Sequence, residues 1–429
     1  LYAASNPHCR RFLAADPDKF DFSSCDIEDP EAIHGLCRMR WLACLGKAYW
    51  ETGEGKYFEA LLRQWDFFEF KAPTPGEEFW RRVHAAGPVN MAPPFGELDT
   101  FIRLTNWYWA FWLGLFAREM TAERCAGLLA RCLRLFDLVA ARGVKRHEHN
   151  FTSMQMEALY LWASALPEFT GMTVWRHAAR NILESSLERA VFDDGAQWEK
   201  SAGYHGGCIR WYATPCLLGM RNGDEWAAPY LAKLRKMGEY LDAILTPDGK
   251  YPLMSDSDRQ AGTEPLSLLR LLFADMKFRR SVGPSYYTAW VGDGETWKAE
   301  ETVGVFDPVA VFPQAGVAAV HPGGAGGASV LLDNGPTSAG HAHLNNLTIH
   351  YDLPQGPVIV DPGRWIYRSD ADRAWVIRCF SHNTVFIEDA AIRPEDWIQE
   401  PGFARIFGPE DNRVSPIRVG EEHGATVLE

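Results

Sequence analysis

The sequence predicts a multidomain α + β protein, a domain of paired helices followed by an antiparallel β domain, and three observations carry this. The chain has 429 residues, more than one compact core ordinarily organises. From about residue 30 to 290, apolar residues recur at spacings of three and four, the period of a buried helix face. After about residue 312 the apolar runs shorten, alternate with polar residues and are separated by Gly, Pro and Asn.

The helices read as hairpins. Ala43–Trp50 and Phe58–Phe68 flank the turn-like Glu51-Thr-Gly-Glu-Gly-Lys56. Phe101–Ala117 and Cys125–Ala141 form a second pair, and Ser153–Ala165 and Val174–Glu188 a third. Tyr230–Leu245 adds another helix, closed by Pro247-Asp-Gly249. Successive hairpins of this kind build a solenoid or a closed toroid.

The strands follow as Val317–Val320, Ser329–Leu332, Leu347–Leu353, Val358–Asp361 and Thr384–Glu388. Alternation is clearest in Leu347-Thr-Ile-His-Tyr-Asp-Leu353, the period of a half-buried strand, and Pro354-Gln-Gly-Pro357 supplies a hairpin turn. The expected boundaries are a helical domain over 1–295, a linker over 296–312 and the β domain over 313–429. A ligand cleft is expected between the two domains.

Composition excludes several function classes. A net charge of −13 argues against broad nucleic-acid binding, although a local group of cations would still accept an anionic polysaccharide or oligosaccharide. No apolar run approaches the roughly 20 residues of a membrane span. The nine cysteines form no CxxC pair, which disfavours zinc-finger and thioredoxin readings and leans towards free thiols. Because the first residue is Leu1, an initiator and any signal peptide could precede it, and the compartment is left as periplasmic or cytoplasmic. Homo-oligomerisation is left open. The 17 Trp could stack on sugar rings or simply fill a helical core.

Three constellations could carry chemistry. In the first, His147-Glu148-His149-Asn150 precedes Thr152, which with Gln155 fits a capping box. A helix starting at 152 would direct its amides and positive dipole end towards His149 and Asn150, a good setting for a carboxylate. The plainer reading is a solvated capping loop. The second is Asp194-Gly-Ala-Gln197-Trp-Glu199-Lys-Ser-Ala-Gly-Tyr204-His205, ahead of an apolar helix over Cys208–Met220. It offers a phenol whose proton could be transferred, or a tyrosine that merely packs its ring.

The third is His341-Ala-His343, then Asp361, then His382. An HxH pair on a strand faces one side, and with Asp361 and His382 it makes a nitrogen and oxygen site suited to zinc. A two-residue hairpin at Gln355–Gly356 would put Asp361 opposite His350, which makes His350 a rival ligand. Asp256 and Asp258 could touch a substrate or cation, though such residues usually cap turns. Arg364, Arg368, Arg373 and Arg378 could pair with carboxylates.

Taken in order, these pieces resemble the heparinase II/III superfamily of polysaccharide lyases, which includes alginate and glycosaminoglycan lyases. The carrying residues are His149, Gln155, Pro167-Glu-Phe169, Asp194-Gly195, Gln197, Glu199, Ser201 and Tyr204-His205, then Gly340-His-Ala-His343, Asp361-Pro-Gly363 and Ser381-His-Asn-Thr-Val385. They span about residues 90–390. The resemblance implies an incomplete α/α toroid followed by an antiparallel β-sandwich. It also implies β-elimination on a uronic-acid-containing polysaccharide, a glycosaminoglycan or alginate, which needs a carboxylate neutraliser, a base and an acid.

By that resemblance Tyr204 donates the proton to the leaving oxygen and can also act as base. His149 flanks the substrate carboxylate, with Asn150 as the nearest neutraliser. His341 faces the cleft, and His343, Asp361 and His382 hold a supporting zinc. Glu148, Gln197, Glu199, His205, Arg364 and Arg368 are the expected substrate-binding residues. Two features depart from the pattern. Glu148 stands where such proteins often have Asn, and the β domain ends early enough that later strands are expected to lie beyond Glu429. The competing readings are a glycoside hydrolase pairing Glu199 with Asp256 or Asp194, and a carbohydrate-binding protein without activity.

Overall fold

The computed structural model describes residues 30–72, 74, 94–144, 147–292, 303–324, 326–335, 341–367, 371–385, 417, 419–422 and 425–428. The chain divides into two compact units, one ending at Leu183 and the other beginning at Glu184.

The helices of the first unit are α1 (Pro30–Cys37), α2 (Trp41–Thr52), α3 (Gly55–Lys71), α4 (Glu97–Leu115), α5 (Ala122–Ala141), α6 (Asn150–Ala165) and the greater part of α7 (Met172–Ala190). The expected hairpins α2/α3 and α4/α5 are both present as packed pairs. Around α4 pack α1, α2, α5 and α6. Trp65 of α3, Trp107 of α4 and Trp162 of α6 are fully buried, and the Trp65 and Trp107 rings lie 5.1 Å apart. The indole N–H of Trp162 donates to the Leu104 carbonyl at 3.0 Å, so its one polar atom is satisfied. Burying a side chain of this size contributes about 1.5–3 kcal/mol.

Helix α6 starts two residues before the expected capping box. His149 is its N-cap, and its Nδ1 accepts the Phe151 amide at 3.2 Å. Gln155, the other half of the expected box, instead donates to the Val139 carbonyl of α5 at 2.9 Å. Every residue from Thr152 to Ala163 is buried, so the helix has no solvated face to mark its beginning in sequence.

The second unit continues with α8 (Ala202–Arg221), α9 (Ala228–Ile244), α10 (Glu264–Leu272) and α11 (Tyr286–Val291). A five-stranded antiparallel sheet follows in the order β1 (Val309–Phe312), β2 (Val317–Val320), β3 (Ser329–Asp333), β4 (Thr348–Leu353), β5 (Gly356–Ile359). Helix α12 (Ala371–Val376), a 3-10 turn over Cys379–Ser381 and a two-stranded pair, β6 (Val419–Glu422) and β7 (Ala425–Leu428), follow. The helical part followed by antiparallel sheet is the order that the sequence predicts. Strand β1 falls inside the stretch expected as linker. Of the expected strand Thr384–Glu388, Thr384 and Val385 are not in a strand and the rest lies outside the described residues.

Polar contacts tie helices to sheet within this unit. Lys200 meets Asp333 of β3 at 2.6 Å with both side chains buried, and Asn345 donates to the other Asp333 oxygen at 2.9 Å. The Asp194 carboxylate accepts the amides of Gln314 and Ala315, each at 2.8 Å, between β1 and β2. His321 bonds the Ala243 carbonyl at the end of α9 at 2.7 Å, and Arg259 bonds Asp352 of β4 at 2.8 Å.

Candidate active site

Tyr204 sits in the first turn of α8, which begins six residues before the apolar run suggests. Ser201 is the N-cap and accepts the Tyr204 amide at 3.4 Å. The same hydroxyl donates to the Asp256 carbonyl at 2.8 Å, and Ser257 Oγ accepts the Gly203 amide at 2.9 Å. The helix end that carries Tyr204 is therefore seated on the loop 255–258.

His341 and His343 do not lie on a strand, contrary to the HxH expectation. Their segment pairs with loops: the Asp256 amide donates to the His341 carbonyl at 3.1 Å, and the Leu344 amide to the Ile377 carbonyl at 3.0 Å. The two imidazoles still meet one group. His341 Nδ1 lies 2.9 Å from Asp256 Oδ2, and His343 Nε2 lies 2.8 Å from Asp256 Oδ1. Arg373 adds an ion pair to Asp256 Oδ1 at 2.6 Å. Burial would raise the Asp256 carboxyl, but hydrogen bonds from His341 and His343 and the charge of Arg373 hold it well below the usual carboxylate range.

The Tyr204 ring stacks on the His341 ring, with centroids 3.5 Å apart and planes 14° from parallel. A residue that sequence reasoning missed completes the group. The Tyr367 hydroxyl lies 3.0 Å from the Tyr204 hydroxyl and 3.3 Å from His341 Nδ1. Burial, and then the neighbouring Tyr204 and Asp256, push the Tyr367 phenol far above its ordinary value, so it stays protonated. No local motif marks Tyr367. Its only signal is an aromatic among the arginines between Asp361 and His382, and indeed Arg364 and Arg373 lie over its ring at 5.1 and 5.3 Å.

Among the expected substrate-binding residues, Glu199 is fully buried, with its carboxylate 3.9 Å from His341 Nε2. Gln197 accepts the Glu199 amide at 3.0 Å, and the Gln197 amide donates to His205 Nδ1 at 3.2 Å. His205 is buried and its Nε2 bonds the Met237 carbonyl at 2.9 Å, so both ring nitrogens are occupied inside the protein. Burial lowers its pKa to about 4. Arg364 donates from Nε to both Asp258 oxygens at 3.2 Å. Arg368 lies outside the described residues. His149 and Asn150 are at the N-terminus of α6 in the first unit, Asn150 buried and Glu148 half-buried.

His343, Asp361 and His382 come together as expected, all buried, with one ligand atom from each within 4.8 Å of the others. His343 Nδ1 and His382 Nε2 are buried and without a hydrogen-bond partner, whereas their other nitrogens are held by Asp256 at 2.8 Å and Asp361 at 2.5 Å. Two orphaned imidazole nitrogens beside a carboxylate match the donor set of a zinc-type cation. His350 is outside this triad. A β-bulge between Tyr351 and Asp352 shifts the β4–β5 register, so the plain hairpin that would put Asp361 opposite His350 does not form. Gly363, two residues on, has φ +65° and an added Cβ would stand 2.6 Å from the Ser257 carbonyl, so the chain passes the 255–258 loop too closely for a side chain. Lys200, Ser255 and Trp365 flank the site with positive φ at non-glycine positions, a strained backbone typical of functional centres.

The competing hydrolase pair is not well formed. Both Asp256 oxygens are held by cationic or N–H donors, and Asp194 caps the turn between β1 and β2. Neither is placed as a solvent-facing acid across a sugar from Glu199.

Comparisons with known proteins agree over most of the chain. The family profile "Heparinase II/III N-terminus" matches residues 10–273, and "Heparinase II/III-like, C-terminal" matches residues 307–413. A heparin-sulfate lyase of Bacteroides stercoris is 21% identical over 417 residues, covering 92% of this chain and 59% of that protein. A crystal structure of heparinase III superposes with a TM-score of 0.68 at 18% identity, covering 86% of this chain and 57% of the other. That of the heparan sulfate lyase HepC from Pedobacter heparinus gives 0.58 at 17% identity, covering 98% and 63%. The chain thus spans about three fifths of the length of these relatives.

Proposed function

The chain belongs to the heparinase II/III family, and from that premise we propose that it is a polysaccharide lyase cleaving a uronic-acid-containing glycosaminoglycan by β-elimination. The observation that carries this reading is the stack of Tyr204 on His341, hydrogen-bonded through Tyr367 and held by Asp256. The relatives' names, heparin-sulfate lyase and heparan sulfate lyase, support a sulfated glycosaminoglycan over alginate as substrate.

The chemistry follows from the proton inventory. Asp256 is an acceptor only, so a neutral His341 carries its proton on Nδ1 and keeps a lone pair on Nε2. His341 Nε2 takes the proton beside the uronate carboxylate; where Tyr204 is instead the base, it starts as the phenolate and the proton it takes is the one it passes on. Tyr204 gives its phenolic proton to the departing glycosidic oxygen, and the C–O bond breaks as the carbon–carbon double bond forms. Tyr367, kept neutral, donates to the Tyr204 oxygen and stabilises the phenolate left behind. In the first unit, His149 and Asn150 at the N-terminus of α6 are assigned to the uronate carboxylate, where helix amides favour negative charge. Gln197, Glu199 and His205 position the Tyr204 and His341 rings, while Arg364 and Arg368 are assigned to substrate anions.

Zinc is the proposed occupant of His343 Nδ1, His382 Nε2 and Asp361. A cation there would fix the His341-to-His343 segment in place. No bond-making step is assigned to it.

The test is incubation with heparan sulfate, heparin, chondroitin sulfate, hyaluronan and alginate. The expected result is ultraviolet absorbance from a conjugated unsaturated uronate with at least one sulfated glycosaminoglycan. Cleavage that leaves only saturated ends would replace elimination by hydrolysis, and binding without cleavage would establish the carbohydrate-binding reading.

A further inference from the structure

Asp256 is the point at which the proposed elimination centre and the metal triad share a side chain. Its carboxylate is fully buried, with one oxygen 2.9 Å from His341 Nδ1 and the other 2.8 Å from His343 Nε2. Arg373 lies 2.6 Å from the second oxygen. The Asp256 backbone makes separate contacts, its amide to His341 and its carbonyl to Ser201, which do not involve the carboxylate.

We propose that Asp256 is a positioning residue that sets the tautomers of His341 and His343 together, so that one carboxylate prepares a metal ligand and the imidazole stacked on Tyr204. The inference rests on the lyase reading for its consequence in catalysis, but its structural content stands by itself. A carboxylate can only accept. It therefore requires N–H at His341 Nδ1 and at His343 Nε2. That leaves His341 Nε2 with its lone pair and directs the lone pair of His343 from Nδ1, the buried nitrogen without a partner, towards Asp361 and His382. Partners of this kind behind a metal-bound histidine fix its tautomer and strengthen it as a ligand.

An amide at this position breaks the arrangement in a defined way. The oxygen of an Asp256→Asn side chain would turn to Arg373 and His343, which both donate, and its NH2 would face His341 Nδ1. His341 would have to accept there and move its proton to Nε2, losing the lone pair at that nitrogen. The backbone contacts of the loop would be unaffected, which separates positioning from loop architecture.

The test reads tautomers directly by two-bond ¹H–¹⁵N correlation spectra of ¹⁵N-histidine protein, without substrate. In the wild type, His341 is expected as the Nδ1–H form and His343 as the Nε2–H form. Finding His341 as Nε2–H overturns the proposal even if no variant folds. In Asp256→Asn, His341 is expected to switch tautomer, and zinc affinity, measured against a chromophoric chelator, to fall about 10- to 100-fold. If the lyase reading holds, kcat should fall with little change in KM, and Asp256→Glu should recover part of it. An unchanged His341 tautomer and unchanged zinc affinity in Asp256→Asn would reduce Asp256 to an ordinary structural residue. Because both readouts need no turnover, their failure is distinguishable from failure of the lyase assignment.

Discussion

The ring of Tyr204 lies face to face on the ring of His341, with 3.5 Å between centroids and 14° between planes. Stacking fixes both hydroxyl and imidazole directions without using the phenolic proton. Tyr204→Phe keeps the ring and deletes only the transferable proton. It is expected to lower kcat by about 10²- to 10⁴-fold while leaving substrate affinity nearly unchanged, as measured by initial rates and by binding to a non-cleaved oligosaccharide. Full retention of turnover would remove Tyr204 from the chemistry.

The Tyr367 hydroxyl meets the Tyr204 hydroxyl at 3.0 Å. Its loss costs one hydrogen bond to a group that becomes charged in the reaction, a matter of about 1.5–3 kcal/mol. Tyr367→Phe is therefore expected to reduce kcat by roughly 10- to 100-fold, less than Tyr204→Phe at its upper range. In the double variant the second loss should be small, since Tyr367 acts through Tyr204.

The triad gives a prediction that needs no substrate. Protein purified without added metal should carry close to one zinc per chain by elemental analysis, and His382→Ala should carry much less. Stripping with a chelator should lower the thermal unfolding midpoint, and zinc at about 1,000 times Kd should restore about 4 kcal/mol. A wild-type protein without zinc or another transition metal would count against the His343, Asp361 and His382 assignment.

The Lys200–Asp333 pair sets the backbone of the Glu199–Ser201 turn against β3, with a 2.6 Å ion pair and side-chain exposures of 2% and 0%. Removing one partner leaves a buried charge uncompensated, which costs about 3–5 kcal/mol. Lys200→Ala is expected to be destabilised by that order in urea unfolding. Lys200→Ala with Asp333→Ala should recover part of it, because no lone charge is then buried.

Much of this was legible in the sequence, for identifiable reasons. The α4/α5 hairpin shows itself because apolar spacing tracks one buried face, and the β4 strand because apolar and polar residues alternate along it, although the structure buries the polar set, Thr348, His350 and Asp352, and exposes Ile349. Helix α6 hides its start because it is buried all round. The bulge at Tyr351 and Asp352 cannot be read from a period of two, so His350 looks like a rival ligand until register is known. Tyr367 meets Tyr204 across 163 residues of chain, and no local pattern encodes that meeting. Asp256 looks like a turn residue because the groups it serves lie 85 and 87 residues away.

His205 makes acid stability predictable. Its pKa falls from 6.5 to about 4 in the folded protein, mainly through burial. Below pH 6.5 the unfolded chain takes up a proton at this residue that the folded chain refuses until about pH 4. The stabilisation is thus fully present above pH 6.5, and it is lost as pH falls through this window, to a total on the order of 3 kcal/mol. His321, also lowered to about 4 by burial, titrates with the same sign. Thermal unfolding between pH 7.5 and 4 should show a falling midpoint, and His205→Gln should flatten that slope. Glutamine can still accept from the Gln197 amide or donate to the Met237 carbonyl, but it takes up no proton. A slope identical to wild type in His205→Gln would show that other groups govern the acid transition.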